Sequence, residues 1–219
     1  MSIKPILFNT DMVRAILDGR KTVTRRVVKP QPETFYVNGE RRDIVNKNEI
    51  AFKVMAKGGK DCYTFPPYQP GDIIYVRETW HKYIKRVGKG EDCHLTEFYG
   101  YKASVKNSED SNTPWKPSIH MPKEAARIWL KVTNVRVERL LRMSHEAARQ
   151  EGIHYCESPD GFTWKADTDM NNCYVTPSGA FEALWNSTIN KADIDRYGFD
   201  ANPWVWVIEF ERCEKPQEV

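Results

Sequence analysis

The junction at residues 10–27 constrains this chain more than any other stretch. Met12, Val13, Ile16 and Leu17 recur at helical spacing, which gives a short helix one apolar face. Thr10 is placed to cap its start, and Asp18-Gly19 supplies a C-terminal stop. Beyond it, Val23, Arg25 and Val27 alternate with Thr22, Thr24 and Arg26, a β-branched pattern that predicts a strand. Helix, glycine turn and strand thus crowd four cations (Arg20, Lys21, Arg25, Arg26) and two hydroxyls into residues 19–26.

In a regular strand Lys21 and Thr24, three positions apart, point to opposite faces. They converge only if Lys21 still belongs to the turn, which Gly19 allows. A lysine beside a hydroxyl is a workable nucleophile pair, because an amine that is desolvated or set among cations loses pKa and can take the hydroxyl proton. Arg20, Arg25 and Arg26 supply cations for that shift, or alternatively grip a phosphate. The same composition also describes an ordinary solvated basic turn.

The pattern Gly19-x-Lys21-x-x-Thr24-x-Arg26 resembles the signature of the ASCH domain, a PUA-related β-barrel family associated with RNA and modified nucleosides. The commoner family pattern has glutamate where this chain has Thr24. The threonine is shared with the small bacterial ASCH amidohydrolases acting on N4-acetylcytidine, whose turn also reads Gly-Arg-Lys-Thr-x-Thr. In those enzymes the lysine, the threonine and a later glutamate form the catalytic set. Here the segment Ala148-Arg149-Gln150-Glu151-Gly152-Ile153 resembles the one that carries that glutamate, so the resemblance implies Lys21, Thr24 and Glu151. A glutamate at a helix C-terminus is electrostatically unfavourable, so something other than helix stability places Glu151 there.

At 219 residues the chain suits one domain with insertions or two small ones. No apolar run reaches the roughly 18 residues of a membrane helix, and the N-terminus has no signal-peptide pattern, so no membrane partner and a cytoplasmic location are expected. The net charge is only +3, but residues 1–30 hold seven Lys/Arg against two Asp, a local excess suited to an anionic partner or simply to a solvated basic face. Cys62, Cys93, Cys156, Cys173 and Cys213 are scattered without Cys-x-x-Cys spacing, and the five histidines complete no ligand set. Reduced, mostly buried thiols are expected, and neither metal nor cofactor.

Further along, Pro5 to Phe8 reads as a short buried strand. Residues 33–69 are polar and broken by glycine and proline, an insertion with at most a hairpin of its own. Pro70-Gly71-Asp72 turns into a strand at 73–80, whose alternation puts Ile74, Val76, Glu78 and Trp80 on one face. Glu78 and Trp80 are candidates for a pocket wall, against the plainer reading of a salt-bridged glutamate at a strand end. This turn and strand also resemble a second segment of longer ASCH proteins. Residues 82–118 form another insertion, where Lys82, Lys85 and Arg86 adjoin aromatics in a pattern suited to single-stranded nucleic acid or to an ordinary exposed hairpin.

A long strand at 128–140 loses its apolar parity between Val132 and Val135, predicting a bulge near Thr133-Asn134. Ser144 caps a helix at 145–151 with Gly152 as its stop, and residues 154–177 form a third insertion, read as a lid. Phe181, Leu184, Trp185 and Ile189 stripe a second helix. A closing strand at 204–212 sets Trp206, Ile208 and Phe210 against Val205, Val207 and Glu209.

The expected fold is a single α+β domain with few helices and five or six curved strands; the resemblance makes it a PUA-like small barrel carrying the three insertions. The expected activity is metal-independent removal of an acyl group from an N4-acylated cytosine nucleoside or base. Lys21, Thr24 and Glu151 are the catalytic set, Arg20, Arg26, Glu78 and Trp80 bind substrate, and Arg25, Lys82, Lys85 and Arg86 contact nucleic acid. A module that binds RNA or DNA without chemistry is the alternative, and a nuclease a weaker one. The elongated form is similar to ASCH proteins of phage and prophage genomes.

Overall fold

The computed structural model describes residues 2–35, 42–45, 49–56, 59–105, 114–158, 161–166 and 173–217. The chain runs β1 (Ile3–Leu7), α1 (Thr10–Leu17), β2 (Val23–Val27), β3 (Thr34–Phe35), β4 (Arg42–Val45), β5 (Glu49–Ala56) and β6 (Lys60–Thr64). It continues through β7 (Ile73–Arg77), β8 (Trp80–Val87), β9 (His94–Tyr101) and β10 (Trp129–Arg139). α2 (His145–Gln150), β11 (His154–Ser158), β12 (Gly161–Lys165), α3 (Pro177–Thr188), α4 (Ile194–Tyr197) and β13 (Trp204–Cys213) complete it.

The frame is a five-stranded sheet ordered β1-β7-β10-β13-β2, with β1 parallel to β7 and the other neighbours antiparallel. The α+β class expected from the sequence holds, but the sheet does not close into a barrel. Its edge strands β1 and β2 share no ladder; instead the Arg26 guanidinium donates to the Leu7 carbonyl at 2.9 Å. The register of β10 against β13 shifts between Val132 and Asn134, at the predicted bulge. The extra residue, Thr133, stays exposed and lets both Val132 and Val135 bury.

β13 divides two apolar layers by its alternation. Trp206, Ile208 and Phe210 join Phe8, Val13 and Ile16 in one cluster, beneath α1. Val205 and Val207 join Val23, Leu140, Ala148, Phe181 and Trp185 in the other, beneath α2 and α3. Burying side chains as large as these stabilises each layer by roughly 1.5–3 kcal/mol per side chain.

Several expectations need correction. The cap of α1 is Asn9 rather than Thr10: its Oδ1 accepts from Met12 N at 2.8 Å, which frees Thr10 to begin the helix. The strand predicted at 73–80 ends at Arg77, and Trp80 opens the next one, since β8 pairs with β9 as a separate ribbon. Residues 33–69 hold more than a hairpin. β5 pairs with β3, β4 and β6, and Phe52 and Val54 bury in the main core, the Phe52 ring 5.1 Å from that of Trp206. The insertion's polar composition concealed that apolar face. Residues 154–177 contain the β11–β12 hairpin, and Trp164 bridges Tyr174, both packing on the second cluster. Parts of all three insertions lie outside the described residues. The cysteines are free but not mostly buried: Cys62, Cys93 and Cys173 are exposed and the other two half-buried. Among the described residues no helix is long and apolar enough to cross a membrane.

Candidate active site

The turn after α1 is built to receive the end of α2. Gly19 takes φ +74°, and the Arg20 and Lys21 amides both donate to the Ala15 carbonyl, at 2.9 and 3.0 Å. Lys21 therefore lies ahead of β2, as convergence with Thr24 requires, and pairs with Glu151 through an isolated antiparallel bridge. Ser144 caps α2 by accepting from Ala147 N at 3.1 Å. At its other end Gly152 has φ +104°, and a Cβ there would lie 2.7 Å from the Ala15 Cβ. Only glycine lets α2 press Glu151 against the turn.

Glu151 is clasped by two cations. Lys21 Nζ donates to Glu151 Oε2 at 2.5 Å, to the Glu151 carbonyl at 3.0 Å and to the Val23 carbonyl at 2.8 Å. These use all three donors of an ammonium. Arg25 Nη1 donates to Glu151 Oε1 at 3.0 Å, while its Nε and Nη2 donate to Glu138 Oε1 at 3.0 and 2.8 Å. Glu138 meets Arg136 at 3.6 Å, and Arg136 pairs in turn with Glu209. Cations and carboxylates so alternate from the interior to the surface. The Lys21 and Glu151 side chains are 0% and 3% exposed, which removes them from solvent screening. Burial lowers the Lys21 pKa from the ordinary lysine value; Glu151 opposes that shift, and Arg26 and Arg25 add to it. The lysine proton is therefore loosened where a carboxylate oxygen lies 2.5 Å away.

Thr24 and Arg26 leave β2 on the opposite side from Val23 and Arg25. Thr24 is buried and paired in register with Ile208, and no hydrogen bond is made by its hydroxyl among the described residues. Lys21 Nζ and the Arg26 guanidinium lie 5.6 and 5.4 Å from the Phe8 ring centre, so both border the apolar layer that Ile208 joins. Beside Arg26 a cleft of about 390 Å³ opens, walled by Lys29, Phe65, Tyr68 and Trp206.

Other expected site residues lie elsewhere. Arg25, read as a nucleic-acid contact, is 4% exposed and committed to two carboxylates, which leaves no free fork for a phosphate. Arg20 donates to the Gly152 carbonyl at 2.6 Å and pairs with Asp18, lining a separate cleft of about 250 Å³ with Arg149, Tyr155 and Trp164. Glu78 follows the plainer reading: both its oxygens accept from Arg127, at 2.8 and 3.0 Å. Trp80 packs with Met121 and Trp129 in a third cluster that includes neither Lys21 nor Glu151. Lys82 pairs with Glu97 at 2.5 Å, whereas Lys85 and Arg86 are exposed on the β8–β9 ribbon.

Sequence reasoning missed Glu138, 113 positions from the arginine it binds, and no local signal could have found it. It also missed the close approach at Gly152, which it read only as a helix stop. No family model, no curated protein and no solved structure matches this chain. What the site can do must therefore be argued from its own residues.

Proposed function

We propose that this protein is a metal-independent amidohydrolase of PUA-like, ASCH type that removes an acyl group from the exocyclic nitrogen of an N4-acylated cytosine nucleoside or base. The observation that carries the proposal is the buried Lys21–Glu151 contact at 2.5 Å with a lysine of lowered pKa. Moving one proton along that contact turns an ion pair into a neutral amine and a carboxylic acid, which supplies a base and an acid at once.

Substrate enters by the cleft beside Arg26. Thr24 Oγ attacks the acyl carbonyl carbon, and its proton passes to the neutral Lys21 amine. Arg26, released from the Leu7 carbonyl, donates to the developing oxyanion. Glu151 protonates the exocyclic nitrogen as the C–N bond breaks, which restores the ion pair and leaves an acyl-threonine. Water then attacks the ester, Glu151 takes its proton and Lys21 returns one to Thr24. The carboxylic acid product leaves and ionises in solvent. In a variant assignment Lys21 donates to the oxyanion and Glu151 is the base throughout.

The test is acetate release from N4-acetylcytidine, followed by chromatography, for the wild type beside Lys21→Ala. Release by the wild type that disappears in the variant is the expected result. No release from nucleoside or base by a folded wild type overturns the proposal. A second reading, base binding without chemistry, is favoured by the full satisfaction of the Lys21 ammonium; it predicts nucleoside binding with no product.

A further inference from the structure

The β8–β9 ribbon carries a surface that the chemistry above does not use. Cross-strand register assigns its side chains to two faces. Trp80, Lys82, Ile84 and Arg86 share one with Tyr99 and Glu97; His81, Tyr83, Lys85 and Val87 share the other with Gly100, Phe98, Thr96 and His94. On the second face the rings form a continuous ladder. Trp115 stacks on His81 at 4.5 Å and 27°, His81 meets Tyr83 at 5.4 Å, and Tyr83 stacks on Phe98 at 5.8 Å and 25°.

Gly100 makes the ladder possible, since a Cβ there would fall 1.9 Å from His81 Nε2. The root of the ribbon also holds two polar atoms, His81 Nδ1 and Trp80 Nε1, that are buried and have no hydrogen-bond partner among the described residues. Outward, Tyr83 is 37% exposed and Phe98 half-buried, so ring faces remain open beyond the buried His81. The ladder face bears Lys85 and no acidic residue among β8 and β9; the one acid of these strands with a described ion pair, Glu97, is on the opposite face with Lys82. Lys85 and Arg86 are exposed and make no ion pair among the described residues.

We infer that this ladder face binds single-stranded nucleic acid, with bases stacked on Tyr83 and Phe98 and a phosphate held by Lys85. Stacked rings beside an unpaired cation accept any base through its π-face and any phosphate through its charge, and discriminate against a duplex whose bases are already stacked. The surface stands apart from the Lys21–Glu151 site and does not depend on its chemistry.

The test uses the full-length protein and the fluorescence anisotropy of labelled 15-residue oligouridine, with a duplex of equal length as control. Tight binding to the single strand, weaker binding to the duplex and affinity falling with salt are expected. Tyr83→Ala should weaken the single strand about 10-fold, Tyr83→Phe should restore it, and Lys85→Glu should lower the salt slope by about one. Circular dichroism and acetate release from the nucleoside should not change, because these side chains are exposed and outside the pocket. Wild-type affinity in Tyr83→Ala, or no binding by the wild type, overturns the inference. So does a dimer, seen by sedimentation, that Tyr83→Ala dissolves: the ladder would then be covered by a second copy.

Discussion

Glu151 and Glu78 are both buried glutamates beside the end of a regular element, and both are neutralised by basic side chains. Glu78 gives its two oxygens to a single guanidinium, that of Arg127, which also lies over the Tyr101 ring at 4.0 Å. An arginine holds its proton at any accessible pH, so that fork fixes position and nothing more. Glu151 divides its oxygens between Arg25 and a lysine whose proton burial has loosened. The lesson is that the partner's proton affinity, more than the burial of the acid, separates a scaffold pair from one able to do chemistry.

The largest effects should come from breaking the second pair. Lys21→Met or Glu151→Gln should reduce acetate release about 10²–10⁴-fold, the usual loss with a positioned acid or base. Each should also cost about 3–5 kcal/mol, because the partner is left buried and uncompensated. Combining them should recover part of the stability in denaturant melts while activity stays lost. Glu78→Gln should cost about 1–3 kcal/mol through its effect on Arg127 and leave kcat/KM unchanged. Loss of activity there would collapse the distinction between the two glutamates.

Gly152→Ala should cost about 1–3 kcal/mol, since alanine is strained at φ +104° and meets Ala15, and activity should fall with it as Glu151 is pushed from Lys21. Smaller effects follow from titration. Acylation uses the one proton that Lys21 and Glu151 share, so kcat/KM should fall as pH rises through the lowered pKa of Lys21, where that proton is lost to solvent. Stability should rise over the same window, where the unfolded chain binds the extra proton. Asp72 provides a contrast outside the site. Burial pushes its pKa up, but hydrogen bonds from Lys4, the Gln69 amide and Ser2 outweigh it and hold the carboxyl below its usual range. Its contribution should be complete above the ordinary carboxylate pKa and fade as pH falls through the lowered one; Asp72→Asn should remove that acid limb at about 1 kcal/mol.

Local rules carried much of this architecture. The apolar spacing of Val13 and Ile16, the cap at Ser144, the slip at Val132 and the alternation of β13 each have a cause within a few residues, and each appears where the sequence put it. What escaped depends on distant partners. Nothing local marks Arg25 for Glu138, Phe52 for Trp206 or Arg26 for Leu7, and the unclosed sheet edge is a property of all five strands together. At the candidate site, the turn position of Lys21 was legible from Gly19. The burial that lowers its pKa was not, because Phe8, α1 and the end of α2 supply the cover.

Thr24→Val tests the central claim most directly, because it separates site from scaffold. The hydroxyl makes no hydrogen bond among the described residues and valine keeps the β-branched shape that β2 packs, so the melting temperature should stay at the wild-type value. Acetate release from N4-acetylcytidine should nevertheless fall at least about 100-fold, because the nucleophile is gone. Undiminished release from the folded Thr24→Val protein would contradict the account: the Lys21–Glu151 pair would then not be acting through a threonine nucleophile.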